Sequence, residues 1–326
     1  MDRIFVQIAS YRDPQCGPTI RDLLAKADHP EQLSFGICLQ WQFDNSEETI
    51  CCGPGSLPES PLIRTDTADA RASRGTCWAR ARCQQLWDGE TFTLQIDSHM
   101  RAEQHWDTSL LSCWRRTGNS QAIISCYPNA FSLNELGEAC HFKRAILPIM
   151  GAKEFDTNGI LHLHGISQYA IPHQLPDAPP PSAFISAGML FGPSEFIQAA
   201  PYDPDLYFYG EETTYAARLW TAGFDLYNPD RLLLYHLYKT TGHSMPTHWA
   251  DHSDWDALDR TSVTRATGLL SGQLDLGKFG LGRARSLADY QEWSGVDFSA
   301  KTIQPHAIKG QFGTQALASN QAAEGA

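Results

Sequence analysis

TFTLQIDSHM, residues 91–100, carries a strand-like alternation that runs straight into Asp97, Ser98 and His99. A buried strand needs neither a carboxylate nor an imidazole at its end for packing. The pair either caps the following turn or holds a ligand, and its neighbourhood decides the fold.

On both sides of this stretch, apolar runs of strand length alternate with helical patterns. RIFVQIAS, LSFGICLQW, TFTLQID and QAIISCYP read as strands, with helices at TIRDLLAKA, SRGTCWARARCQQLW and HWDTSLLSCWRR. Such alternation predicts an α/β fold, a mostly parallel Rossmann-like sheet flanked by helices. Ligands on these sheets sit at the carboxyl ends of strands. Asp97 and His99 stand at the end of the third predicted strand, where a site belongs.

Further along, GILHLHGISQYA reads as a hairpin, FISAGMLFGP as a buried strand, YGEETTYAARLWTAGF as a helix opened by Glu211 and Glu212, and RLLLYHLYKT as a strand. The pattern divides the chain into a catalytic domain at 1–245, an extension at 246–306 packing on or near the site, and a disordered tail at 307–326. In the extension, Arg260, Arg265 and Arg283 lie amid glycine-rich sequence and could close over a bound diphosphate.

The formal net charge of −12 excludes a nucleic acid as main partner, because phosphate backbones demand a basic face. The chain enters its first strand pattern directly and has no run of eighteen apolar residues. No integral membrane segment is expected, and the expected location is cytoplasmic. Nine cysteines without CxxC spacing read as reduced thiols.

Three clusters carry chemistry. In an extended segment Asp97 and His99 share a face, so both can reach one cation, and oxygen with nitrogen suits Mn²⁺ or Mg²⁺. His236 interrupts the apolar LLLYHLY and is either a satisfied core histidine or a third ligand. Upstream, RASRGTCWARAR places Arg71, Arg74, Arg80 and Arg82 where a diphosphate would need planar cations, although a solvated face explains any one of them as well. YFYGEE sets aromatic rings before two acids; the acids suit a helix N-terminus, and the whole suits a sugar site.

In this order the motifs resemble GT-A glycosyltransferases. The segments beginning IFVQIASYRDP, RGTCWARARC and LYFYGEETTYAARLW, with LLLYHLY, resemble the GlcNAc-transferase family whose eukaryotic member modifies hydroxyproline on Skp1. The second segment also resembles polypeptide GalNAc-transferases. The likeness spans about residues 3 to 300, since LGKFGLGRARSLADYQEWSGVDF also looks family-like.

The resemblance implies a metal held by Asp97, His99 and His236, with Asp-x-His as a variant of the usual Asp-x-Asp. It implies donor-binding roles for Ser10, Tyr11, Arg12, Arg80, Asp97, Ala187 and Gly188, and catalytic roles for Glu211 and Glu212. One of the two glutamates is expected to face the site, with Glu211 favoured by family position. The implied activity is transfer of GlcNAc or a related sugar from a UDP-sugar to an acceptor hydroxyl on a protein, glycan or small molecule, with retention and an α linkage. A nucleotide-sugar hydrolase and a non-catalytic sugar- or nucleotide-binding module are the alternatives.

Overall fold

The computed structural model describes residues 2–238 and 246–313. Its main sheet has eight strands in the order β11-β13-β6-β12-β4-β1-β2-β3. In chain order these are β1 (Ile4–Tyr11), β2 (Leu33–Trp41), β3 (Ile63–Asp69), β4 (Phe92–Asp97), β6 (Ala122–Ser125), β11 (Pro181–Ser182), β12 (Met189–Pro193) and β13 (Asp225–Tyr227). Helices α1 (Cys16–Lys26), α2 (Ser46–Cys51), α3 (Thr76–Gln84), α4 (Trp106–Arg116), α5 (Glu195–Ala199) and α6 (Glu211–Thr221) fall between them.

β1 pairs in parallel with both β2 and β4, Ile4 lying beside Leu33 on one side and Phe92 on the other. Its side chains alternate between two cores. Ile4, Val6 and Ile8 pack with Ile20 and Leu23 of α1 and Trp106 and Leu110 of α4. Phe5 points the other way, into a core shared with Cys77 of α3 and Tyr215 and Leu219 of α6. Apolar burial on both faces, worth about 1.5–3 kcal/mol for each large side chain, anchors β1 between the two cores.

Sequence periodicity missed β3, IRTDTAD, whose polar alternation hides an edge strand. Asp97 therefore ends the fourth strand in chain order. In FISAGMLFGP only Met189–Pro193 is strand; it runs antiparallel to β4 and β6, and Ser186 to Gly188 form an irregular approach to it. GILHLHGISQYA forms not a hairpin but the single strand β10 (Leu161–Ala170), antiparallel to β9 (Ile146–Phe155).

A second sheet, of order β5-β14-β7-β8, joins β5 (Met100–Ala102), β7 (Asn129–Leu133), β8 (Ala139–Cys140) and β14 (Leu234–Leu237). Residues 239 and 240 of the expected strand RLLLYHLYKT lie outside the described residues.

Beyond residue 245 the chain forms α7 (His248–Asp251), α8 (Trp255–Leu270), α9 (Leu287–Ser294), the short pair β15 (Val296–Asp297) and β16 (Thr302–Ile303), and α10 (Pro305–Ile308). Ala266, Leu270, Tyr290, Val296 and Phe298 join the same core as Phe5 and Leu219. The expected tail from 307 does not begin there: residues 307–313 are folded, with Ala307 and Phe312 buried, and the remainder lies outside the described residues. None of the described helices is long and apolar enough to cross a membrane.

Candidate active site

The turn after β4 is fastened from below. Thr19 on α1 donates its hydroxyl to the Ser98 carbonyl at 2.7 Å and accepts the Met100 N–H at 2.9 Å. β5 follows at once, and its antiparallel partner β14 sets His236 opposite Met100, with the Leu237 N–H donating to the His99 carbonyl at 3.0 Å. This register carries a residue 137 positions away in sequence to the imidazole of His99, Nε2 to Nε2 at 3.1 Å. Asp97 Oδ2 is 3.2 Å from His236 Nε2.

One donor atom each from Asp97, His99 and His236 lies within 4.8 Å of the others. Asp13 holds His99 Nδ1 at 2.7 Å and also accepts from Ser98 Oγ and the Gln15 N–H. Occupation of Nδ1 turns the Nε2 lone pair of His99 toward the cluster, the orientation that carboxylate–histidine pairs impose on metal ligands. The donor set of one oxygen and two nitrogens fits a divalent ion such as Mn²⁺.

Burial would raise the Asp97 pKa, but the hydrogen bond from His236 and the Arg80 guanidinium hold it well below the usual carboxylate range. Burial pushes His236 down against a partial offset from Asp97. For His99 burial is outweighed by Asp13, and the imidazole is raised.

Of the four arginines in the sequence cluster, Arg80 alone enters the site. Arg71 pairs with Asp69 and Asp44, Arg74 with Asp205, and Arg82 with Asp66. Arg80 is buried; it binds Asp97 Oδ1 at 2.8 Å, lies 3.2 Å from Glu211 Oε1 and donates to the Ala187 carbonyl. Ala187 is also gripped from its N–H, which donates to Glu212 Oε1 at 2.9 Å, while the Tyr127 hydroxyl donates to Glu212 Oε2. Gly188 lies against Asp97: a Cβ there would come within 2.8 Å of Oδ2. Substitution would therefore disturb the carboxylate that completes the cluster.

Both glutamates border the cavity rather than one alone. Gly210, at φ 88°, lets the chain turn sharply into α6 and aims both first-turn side chains inward. Glu211 is buried against Arg80, and its desolvated carboxyl is raised despite that cation. Burial also raises Glu212, to about 7, against the hydrogen bonds from Tyr127 and Ala187.

At the ends of β1 and β2, Ser10 is buried with no protein partner for its hydroxyl. Tyr11 donates its hydroxyl to Asp251 of α7 at 2.9 Å, and Arg12 binds both Glu48 and Asp251. Arg12 thus has two carboxylates already. In the extension, Arg260 pairs with Asp256 and Arg265 with Asp203. Neither these two nor Arg283 lines the cavity.

The cavity has a volume of ≈ 740 Å³, within the range of ligand sites. It reaches from the Asp97 cluster to Tyr11 on one side and to Ile160 and the first residues of β10, Leu161 to Leu163, on the other. Sequence reasoning missed Asp13, Tyr127, β10 and His248, whose Nδ1 meets the Tyr207 hydroxyl at 3.0 Å. Asp13 had a signal, its place two residues beyond the end of β1. The others reach the site only through tertiary packing.

The mostly parallel sheet, with the acid–imidazole cluster at its carboxyl edge and the paired acids facing that cluster, matches the GT-A fold that the sequence resemblance implied. The family model described as "Glycosyltransferase (GlcNAc)" matches residues 3–62 and 56–300, and the chain belongs to this family of glycosyltransferases. Among solved structures it is similar to GalNAc-T7 with UDP, GalNAc and Mn²⁺, at 13% identity and a TM-score of 0.54, covering 89% of this chain and 54% of that one. It thus spans about half the length of that protein. Staphylococcus aureus TarS (residues 1–349) in complex with UDP-GlcNAc matches at 12% identity and a TM-score of 0.44, over 85% of this chain and 68% of that one. No curated protein matches by sequence.

Proposed function

We propose that this chain transfers GlcNAc or a related N-acetylhexosamine from a UDP-sugar to an acceptor hydroxyl, with retention, using Mn²⁺ or Mg²⁺ held by Asp97, His99 and His236. The observation that carries this reading is the convergence of those three donors at the carboxyl edge of the sheet, tied through Arg80 to Glu211. A divalent ion there supplies neutralisation of the charge that develops on a departing diphosphate.

The chain's own groups do the rest. Arg80 occupies Asp97 Oδ1 and so fixes the direction of Oδ2 toward the cluster. Gly188 leaves room for a ligand beside that carboxylate. Tyr11 lines the cavity at the end of β1, where a ribose or base would lie, whereas Ser10 is fully buried and does not line it. Glu212 keeps partial access to the cavity with a pKa near neutrality, which suits a carboxylate that accepts a bond, or a proton, from a sugar hydroxyl. Glu211, locked on Arg80, acts chiefly by holding the frame. In the overall reaction the acceptor oxygen bonds the anomeric carbon, the bond to the β-phosphate oxygen breaks, UDP departs with the electron pair, and the hydroxyl proton is lost to a base.

Incubating the chain with Mn²⁺ and UDP-GlcNAc, with and without an acceptor panel, and reading products by mass spectrometry tests this. Acceptor-dependent product is expected. Free sugar alone would identify a hydrolase, and UDP-sugar binding without turnover a binding module.

A further inference from the structure

At the mouth of the cavity four rings stand in a row. His162 of β10 lies 5.7 Å from Tyr209, Tyr209 lies 5.2 Å from Phe208, and Phe208 lies 5.4 Å from Trp249 of α7, centroid to centroid. All four line the cavity. Phe208, Tyr209 and Trp249 are 38%, 47% and 41% exposed, whereas large aromatic rings normally seek the core.

Their neighbour Tyr207 shows the contrast, since it is buried and hydrogen-bonded to His248. The turn between Tyr207 and Gly210 therefore holds two rings outward, directly before Glu211 and Glu212. The metal-ligand cluster lies deeper, its imidazoles largely covered. The row and the carboxylates line the same cavity, the rings at its more exposed part.

Resting on the glycosyltransferase reading, we propose that this row is the acceptor subsite and that the acceptor is a neutral oligosaccharide. A pyranose presents a face of C–H groups, which stacks on an open ring, and a rim of hydroxyls, which stays wet or finds polar partners. The row provides both. Its rings are open to solvent, and hydrogen-bonding groups sit among them: Thr247, Glu212 and His162, whose Nε2 is held at 3.2 Å by Asp156. The ring-to-ring spacing is comparable to one sugar residue, so successive residues of a chain can each meet a ring.

Charge selects against anionic acceptors. Among the described residues the cavity lining has one cation of the Lys or Arg type, Arg80, which is buried and paired with two carboxylates. The same lining carries Asp13, Asp97, Glu211 and Glu212. Among the described lining residues a phosphate-bearing polymer would find no free cation, and an acidic peptide would be repelled.

The test uses the full chain with three probe sets: neutral gluco-, manno-, galacto- and chito-oligosaccharides, a polyglycerol phosphate, and serine- or threonine-bearing peptides. Each is titrated against intrinsic tryptophan fluorescence without donor, and then offered as acceptor with Mn²⁺ and UDP-GlcNAc. Binding and extension of one neutral oligosaccharide class are expected. Tyr209→Ala and Trp249→Ala should then raise the acceptor KM by about tenfold with a much smaller change in kcat, and Tyr209→Phe should restore it.

Preference for the peptides or the polyanion overturns the inference, as does an unmoved KM or the absence of both binding and extension. Neutral oligosaccharides that bind through the row while no acceptor is ever extended would leave the subsite standing and defeat the transferase reading instead.

Discussion

The two ends of the cavity are built on opposite principles. In its depth, Arg80 and Glu211 are charges taken out of water, Asp97 is half-buried, and the three compensate one another, with both backbone groups of Ala187 bound among them. At its mouth, Phe208, Tyr209 and Trp249 are apolar rings left in water. Burying charge costs several kcal/mol per ion unless geometry and hydrogen bonds repay it, so the deep end tolerates one arrangement. Exposed rings cost little and can shift with what they meet. The rigid end suits a donor fixed by chemistry, and the open end an acceptor fixed by shape.

Removal of a metal ligand should break the deep end most severely. Asp97→Asn or His236→Ala is expected to lower metal-dependent turnover by on the order of a thousandfold and to abolish Mn²⁺ binding in calorimetric titration. Unchanged metal dependence in His236→Ala would return that residue to a packing role.

Next in size is Arg80→Met, which leaves the buried Glu211 and the half-buried Asp97 without their shared cation. A loss of about 3–5 kcal/mol in denaturant unfolding is expected; a loss below about 1 kcal/mol would mean the charges are not mutually dependent. Glu212→Gln should lower turnover about a hundredfold while UDP affinity stays close to that of the wild type. Glu211→Gln, by contrast, should show mainly a fall in stability. If the two variants behaved alike, the distinction drawn between locked and accessible carboxylates would be lost.

A smaller effect follows from the raised pKa of Glu212. An ordinary glutamate titrates near 4.5 and this one near 7, so between those values the folded chain holds a proton that the unfolded chain has released. Stability from this group is full below about pH 4.5 and is lost as pH rises through 7, by on the order of 1–3 kcal/mol. Glu212→Gln should flatten that part of the stability profile, with Tyr127, Glu211 and Arg80 unchanged around it. Smallest of all, Phe208→Ala should change unfolding free energy by no more than about 1 kcal/mol. A larger loss would show the mouth to be as rigid as the depth.

The readable parts of this protein were those whose signal is local. β1, β2 and β4 announce themselves because strands covered on both faces are rich in apolar residues, and α6 because its acids and Gly210 mark a helix start. β3 did not, since an edge strand with one wet face reads as a polar loop. The last core residues, Ala307 and Phe312, were hidden in a polar, Ala/Gln-rich end where two apolar side chains join the core.

By itself the sequence determined the α/β class, the Asp97–His99 pair two residues apart on one strand end, and the order of motifs that marks the family. The first two follow from periodicity and spacing along one chain, and the third from likeness to a known family. Only the tertiary structure decided that β14 lays His236 beside His99. It also turned Asp13 to orient that imidazole, committed Arg80 alone among four arginines to the site, and left Phe208 and Tyr209 in water while Tyr207 went to the core. Each of these outcomes depends on which distant group arrives to pair, fill or cover. That is set by the register of strands and the packing of both cores together, and no stretch of residues carries it alone.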